Sequence, residues 1–304
     1  MSAVQFGQYP PATHLIAHIS DTHFLGAGSD GAPRSLHGTV DTDRTVRLAM
    51  EQLERSGLRP DAFVFTGDIA DRGEPDAYRR VRDLVEAIAA RLGSELVWVM
   101  GNHDERAAFR TELLRERGSA EPVDRVFDIR GLRIVALDTS VPGYHHGDLT
   151  DRQLEWLAGV LSTPAKHGTV LALHHPPIPT PLALMNLLEL RRQERLADVI
   201  AGSDIRGILG GHLHYATHSL FAGIPVSVAA ATCYTMDLSA PERELVGMDG
   251  GQAINLVHIH DTQLVHSVVP LGQFPTVSRF DSAFLDRMQS LNATDRTEAF
   301  SRKP

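Results

Sequence analysis

A chain of 304 residues suits one large α/β domain, and its 42% hydrophobic content supplies a core, which excludes global disorder. A net charge of −9, from 29 basic and 38 acidic residues, argues against a broad nucleic-acid footprint, although bound cations can still dominate the field at one site. One cysteine, Cys233, excludes an intrachain disulfide and fits a reducing cytosol.

In chain order, MSAVQFGQYPPATH has neither the basic segment nor the apolar core of a secretory signal. Apolar, strand-like runs follow at 14–20, 62–66, 96–100, 133–137, 169–173 and 205–209. Helical spacing fills the intervals at 43–56, 75–92, 106–117, 151–161 and 188–201. The style then changes, and 219–230 and 252–270 read as antiparallel strands with turns. The long uncharged stretches 167–188 and 220–236 are broken by proline and glycine, so no transmembrane segment is expected and the setting is read as cytoplasmic. Early alternation predicts an α/β fold with helices covering sheet on both sides, and ligands gathered beyond the carboxyl ends of strands. The domain is expected to span 1–278, with 279–304 a polar, loosely ordered tail.

Five phrases fall at such strand ends: Asp21-Thr22-His23, Gly67-Asp68, Gly101-Asn102-His103-Asp104, His174-His175 and Gly211-His212-Leu213-His214. A mixed Asp/Asn/His set with no thiolate suits a pair of first-row metal ions, and a metal pair is a device for hydrolysing phosphate esters. In an extended segment Asp21 and His23 would point to one side and grip one ion. Asp68, with two carboxylate oxygens, can bridge two ions. Asn102 offers a neutral amide oxygen. His103 is assigned to substrate, where it would stabilise or protonate the leaving oxygen, with Asp104 holding its ring. His174 is chosen to face the metals, and His175 is read as supporting them or as structural. His212 and His214 are read as serving one ion each. Within Gly67-Asp68-Ile69-Ala70-Asp71-Arg72-Gly73, Asp71 could orient the loop and Arg72 could pair with a phosphate, a solvated arginine being the plainer reading. Tyr144, His145 and His146 form a polar loop that could reach substrate. His14, His18, His37, His167, His218, His258, His260 and His266 are taken as ordinary strand or loop residues.

The ordered set D-x-H, G-D, G-N-H-D, H and G-H-x-H resembles the calcineurin-like metallophosphoesterases over about 14–272. SGLRPDAFVFTGDIADRGEPDAYR, ELVWVMGNHDER, LDTSVPG, LALHHPPIP, GHLHY and GIPVSVAAATCYT carry a nearer likeness to the bacterial class III cyclic-nucleotide phosphodiesterases. The resemblance implies a four-layer α/β/β/α sandwich with a dinuclear centre. Asp21, His23, Asp68 and His214 would hold the first metal, and Asp68, Asn102, His174 and His212 the second. Asn102, His103 and His214 would meet the substrate. It also implies iron with manganese or two manganese ions, zinc and cobalt being alternatives, and a homodimer, for which 182–190 is the candidate surface. The expected substrates are 3′,5′- or 2′,3′-cyclic nucleotides, with no nucleic acid. The rivals are a phosphomonoesterase or broad diesterase of the same fold, and a non-catalytic scaffold. The scaffold would be expected to have lost ligand positions, and none is lost here.

Overall fold

Successive side chains of a strand point to opposite faces, and these strands are apolar at both parities, so each must be covered twice. In the computed structural model, which describes residues 5–29, 31, 32 and 34–303, thirteen strands are formed. They are β1 (His14–Ile19), β2 (Ala62–Thr66), β3 (Glu95–Val99), β4 (Arg125–Ile129), β5 (Leu132–Leu137), β6 (Thr169–Leu173), β7 (Ile205–Gly210), β8 (Thr217–Phe221), β9 (Ile224–Val228), β10 (Thr235–Met236), β11 (Gly247–Met248), β12 (Ala253–Ile259) and β13 (Leu264–Pro270). The first four residues of the N-terminal segment and the last residue of the tail lie outside the described residues.

One sheet runs β13-β12-β1-β2-β3 and the other β4-β5-β6-β7-β9-β8, with β10 and β11 a separate pair. The central strands are parallel: β1, β2 and β3 in the first sheet, and β5, β6, β7 and β9 in the second. Antiparallel partners flank them, β12 against β1, β4 against β5 and β8 against β9.

The layer order is written in the parity of the strands. Ile16, Val64, Val97 and Val99 meet Ile134, Ala136, Val170, Ala172 and Leu209 in one buried cluster between the two sheets. Their neighbours of opposite parity, Ala17, Phe63, Phe65 and Trp98, face helices Thr42–Ser56 and Pro75–Leu92 through Val46, Met50, Val81 and Val85. On the other side Val135, Leu137, Leu171, Leu173 and Ile208 face helices Asp151–Leu161 and Gln193–Ile200 through Leu154, Leu157, Leu196 and Ile200. Three apolar layers between four layers of structure make an α/β/β/α sandwich over 13–271.

Helix boundaries follow local chemistry. Asp41 caps the first helix by accepting from the Arg44 N–H, and Thr150 with Gln153 forms a reciprocal capping box. Two helices differ from the sequence reading. The one expected over 188–201 begins at Gln193, because the Glu189 carbonyl and the Arg191 N–H are spent on Gly147, at 3.1 and 2.8 Å. The one expected over 106–117 widens after Ala108 into a turn over Phe109–Leu113 that buries Phe109 and Leu113, and then stops. Edge strand β4 has no apolar run to announce it, since its side chains alternate between half-buried and exposed.

Described residues 5–12 and 272–303 form a second, smaller unit. Where the sequence suggests a loosely ordered tail, that unit holds helices Ser282–Ser290 and Ala293–Arg296 and a final turn Thr297–Ser301. Three aromatics meet there: Phe280, Phe284 and Phe300 bring their rings within 4.9–5.7 Å of one another. No described helix is long and apolar enough to cross a membrane.

Candidate metal centre

The five phrases leave the carboxyl ends of β1, β2, β3, β6 and β7, and hydrogen bonds stitch the loops together. The Asp21 N–H donates to the Gly67 carbonyl at 3.1 Å, the His23 N–H to the Asp68 carbonyl at 2.9 Å, and the Gly211 N–H to the His174 carbonyl at 3.0 Å. Asp21 and His23 do not lie in an extended segment, which corrects the reason given above for their pairing. Asp21, His23, Asp68, His212 and His214 all take positive φ, between 46° and 69°. Asp and His tolerate that region better than most residues, yet each such position costs about 1–3 kcal/mol and persists only where surrounding structure imposes it. The tight turns aim the side chains inward. Backbone approach is equally close: a Cβ on Gly101 would overlap the backbone nitrogen and Oδ1 of Asp68.

Inside the cluster, hydrogen-bond acceptors face acceptors. His23 Nδ1 lies 3.0 Å from the Asp71 carboxylate, His174 Nδ1 2.7 Å from the Thr66 carbonyl and His214 Nδ1 3.1 Å from the Tyr234 carbonyl. Each Nδ1 must therefore carry the donated proton, which leaves Nε2 bare in the neutral ring. Those bare nitrogens point at carboxylate oxygens: His23 Nε2 at Asp68 Oδ2, 3.4 Å; His174 Nε2 at the same oxygen, 3.3 Å; His214 Nε2 at Asp21 Oδ1, 3.3 Å. His212 is the reverse tautomer, with Nε2 donating to the Leu188 carbonyl at 3.0 Å and Nδ1 bare. The Asn102 amide donates to His145 Nδ1 at 2.9 Å, which sets its flip and brings Oδ1 to 3.1 Å from His174 Nε2. Asp21, His23, Asp68, His174, His212 and His214 are buried, Asn102 is half-buried and His145 is exposed.

A lone pair against a carboxylate is repulsive unless a proton or a cation lies between. In the metal-free protein protons fill the role at His23 and His174. Burial alone would lower His23 and His174, but Asp68, with Asp71 for His23, outweighs it and raises them to about 10 and about 9. Burial would raise Asp21, but His214 holds it down at about 2. Metal ions satisfy the same contacts without protons. Asp21, His23, Asp68 and His214 present donor atoms within 4.8 Å of one another, as do His174, His175 and His212. Each outward ring nitrogen already donates to an oxygen, the arrangement that orients metal-binding histidines. The residues therefore fit a metal pair.

His175 differs from the rest of its cluster. Its Nδ1 lies 2.8 Å from the Thr139 hydroxyl and its Nε2 3.2 Å from the His145 carbonyl, so both nitrogens are spent on the protein.

The role expected for Asp104 is corrected. Its carboxylate accepts from the Ile69, Ala70 and Gly101 N–H groups and the Tyr78 hydroxyl, at 2.9–3.2 Å, and makes no hydrogen bond to His103. It clamps the Asp68 loop onto the Asn102 loop, and burial, with the Asp68 charge adding, pushes it up to about 7. The His103 ring is held instead by Asp71, whose carbonyl accepts from Nδ1 at 2.9 Å and whose carboxylate lies 3.6 Å away. Burial lowers His103, against the Asp68 charge. Arg72 is mostly exposed and pairs with Asp71 at 3.6 Å. Of the polar loop, His145 reaches Asn102 and lies 4.9 Å from the His103 ring, while Tyr144 is exposed. The carbonyls of Thr66, Tyr234 and Leu188 escape sequence reasoning because a main-chain acceptor leaves no residue-type signal.

The calcineurin-like phosphoesterase family profile matches residues 14–216. A cAMP/cGMP dual specificity phosphodiesterase of Mycobacterium tuberculosis is 55% identical over 282 residues, 93% of this chain and 87% of that protein. A probable cyclic nucleotide phosphodiesterase of Rhodococcus erythropolis is 50% identical over 275 residues, 90% of this chain and 89% of that one. Among solved structures, a dimetal phosphatase from Danio rerio superposes with a TM-score of 0.60 at 17% identity, covering 87% of this chain and 98% of its own, a likeness of fold.

The protonated histidines carry a pH dependence. A folded pKa raised above the ordinary 6.5 contributes stability that is complete below pH 6.5 and lost as pH rises through the folded value. Urea unfolding of metal-free protein should therefore show lower stability at pH 9.5 than at 6.5. Equal or greater stability at 9.5 would contradict this reading of His23 and His174.

Proposed function

This chain belongs to the calcineurin-like phosphoesterase family, which uses a dinuclear metal centre, and we propose that it hydrolyses cyclic nucleotides, 3′,5′- or 2′,3′-, to nucleoside monophosphates. The observation that carries the chemistry is the set of three imidazole Nε2 atoms aimed at the carboxylates of Asp21 and Asp68. The choice of cyclic nucleotide rests on the names of the two bacterial relatives.

In this reading Asp21, His23, Asp68 and His214 hold one ion, and Asp68, Asn102, His174 and His212 the other, with manganese pairs or iron with manganese suiting the O/N donor set. Bound there, the ions would supply Lewis acidity toward the phosphoryl oxygens and lower the pKa of the water that hydrolyses the ester. The protein's own part is positioning and proton transfer. Asp71 ties His103 at Nδ1 in either protonation state, so the ring gains or loses its proton at Nε2. In the protonated ring Nε2 gives its proton to the departing ester oxygen as the P–O bond breaks, while water adds at phosphorus and its released proton passes to solvent. Asn102 is fixed by His145 with its Nδ2 donating away from the cluster. Asp104 keeps the two loops in register. Because the phosphate is the group recognised, a broad diesterase remains the second reading.

The single buried Cys233 fits a reducing, cytosolic setting. Leu184 and Leu187, 57% and 69% exposed within 182–190, support a homodimer there. Sedimentation at micromolar concentration should show the dimer, and monomer alone would remove it.

A manganese-loaded sample should cleave 3′,5′- and 2′,3′-cyclic AMP and a nitrophenyl diester, with little activity on the matching monoester. Preference for the monoester would make the protein a phosphatase. His103→Asn should reduce turnover of cyclic AMP by roughly 10²–10⁴-fold. The loss should be smaller on the nitrophenyl diester, whose leaving group needs no proton. Equal losses on both would remove the proton-donor role.

A further inference from the structure

One cavity borders the metal centre without belonging to it. The Tyr234 ring lies 4.5 Å from the His214 ring and 5.3 Å from that of His37. It lines a cavity of about 340 Å³ with His37, Val40, Met236, Leu245 and Met248, a size at the lower end of small-molecule sites.

The cavity is built. Main-chain bonds bind the 232–236 segment to the ligand loops: the Thr232 N–H donates to Ser20, the Cys233 N–H to Asp21 and the Met236 N–H to His214, at 3.0–3.2 Å. The β10–β11 pair sets Met236 opposite Gly247 and Thr235 opposite Met248. Gly247 is what lets the Tyr234 ring lie against that strand, since a Cβ there would come within 2.9 Å of two ring carbons. A flat aromatic wall thus stands beside two methionine thioethers and a leucine, groups that pack against an aromatic ring. Asp249 supplies a carboxylate at the rim, where Oδ1 accepts from Gln252 at 2.7 Å.

We propose that this cavity is the nucleobase subsite, taking a base with an exocyclic amine that stacks among Tyr234, Leu245 and Met248 and donates an N–H to Asp249. The proposal rests on the cyclic-nucleotide reading. The His214 ring, proposed to meet both metal and substrate, touches the Tyr234 ring at 4.5 Å, so a phosphate held at the metal centre would have the cavity wall one side chain away. A heteroaromatic ring joined to the phosphate through a ribose has an apolar slot to enter and an acceptor to meet its amine.

The test uses the full chain, with Leu245→Ala/Met248→Ala as the main variant because both side chains are part-exposed, 40% and 43%, and outside the packed layers. Two readouts are taken. In manganese-loaded protein, KM for 3′,5′-cyclic AMP should rise roughly tenfold, a larger factor than for methyl nitrophenyl phosphate, which has no base. In metal-free protein, saturation-transfer NMR should show adenosine bound to the wild type and lost from the variant. Equal KM changes for the two diesters, or adenosine binding that the variant keeps, overturns the subsite and leaves the proposed function standing. A wild type that cleaves only the base-free diester fails the proposed function. Adenosine binding then decides the subsite alone, its presence supporting it and its absence overturning it. Asp249→Ala should raise KM for cyclic AMP more than for cyclic UMP, whose base has no amine, and an equal rise removes Asp249 from the proposal.

Discussion

Asp68 is the constraint around which the loops are arranged. Its Oδ2 faces the Nε2 atoms of both His23 and His174, and its Oδ1 accepts the His103 N–H at 2.9 Å. A buried carboxylate against two imidazole lone pairs cannot stay as it is without positive charge between them. In the metal-free protein protons meet that demand, and a metal ion held between the same atoms would meet it equally. Each imidazole is already committed through its other nitrogen, so it cannot turn away to relieve the conflict. The site is preorganised for charge.

The sandwich builds that site by bringing five strand ends to one place. Parallel strands deliver Asp21, Asp68 and Asn102 from one sheet, and His174 and His212 from the other. The interlayer core of valine, isoleucine and alanine fixes the distance between the sheets. Five of the cluster's residues take left-handed backbone, and the carbonyls of three of them, Asp21, Asp68 and His214, accept from the N–H groups of Cys233, His23 and Met236 and so bind one loop to the next. Asp104 shows the same economy. Its carboxylate accepts from three N–H groups and a hydroxyl, and so holds the Asp68 and Asn102 loops together.

Much of this was legible in the sequence. Apolar runs such as 62–66 and 169–173 announced the strands, their alternation with helical segments announced helices on both sides of the sheet, and the position of each phrase after such a run placed the site. The set and its order carried the family. What escaped depends on backbone. Nothing in Asp-Thr-His shows that the turn is left-handed rather than extended. Adjacency suggested that Asp104 orients His103, but neighbouring side chains diverge, and Asp71, thirty-two positions earlier, does the work. The helix at 188–201 starts late because a bridge to Gly147 takes its first turn. Tyr234 passed unnoticed because its contribution is a carbonyl to His214 and a ring to a cavity, neither marked by spacing.

The most direct test of the account is the metal content of the folded chain, counted by elemental analysis after saturation with manganese and removal of free ions. The account predicts two ions per chain, falling to one or fewer in Asp68→Ala, since that carboxylate serves both positions. One ion in the wild type, or two retained in Asp68→Ala, would contradict it.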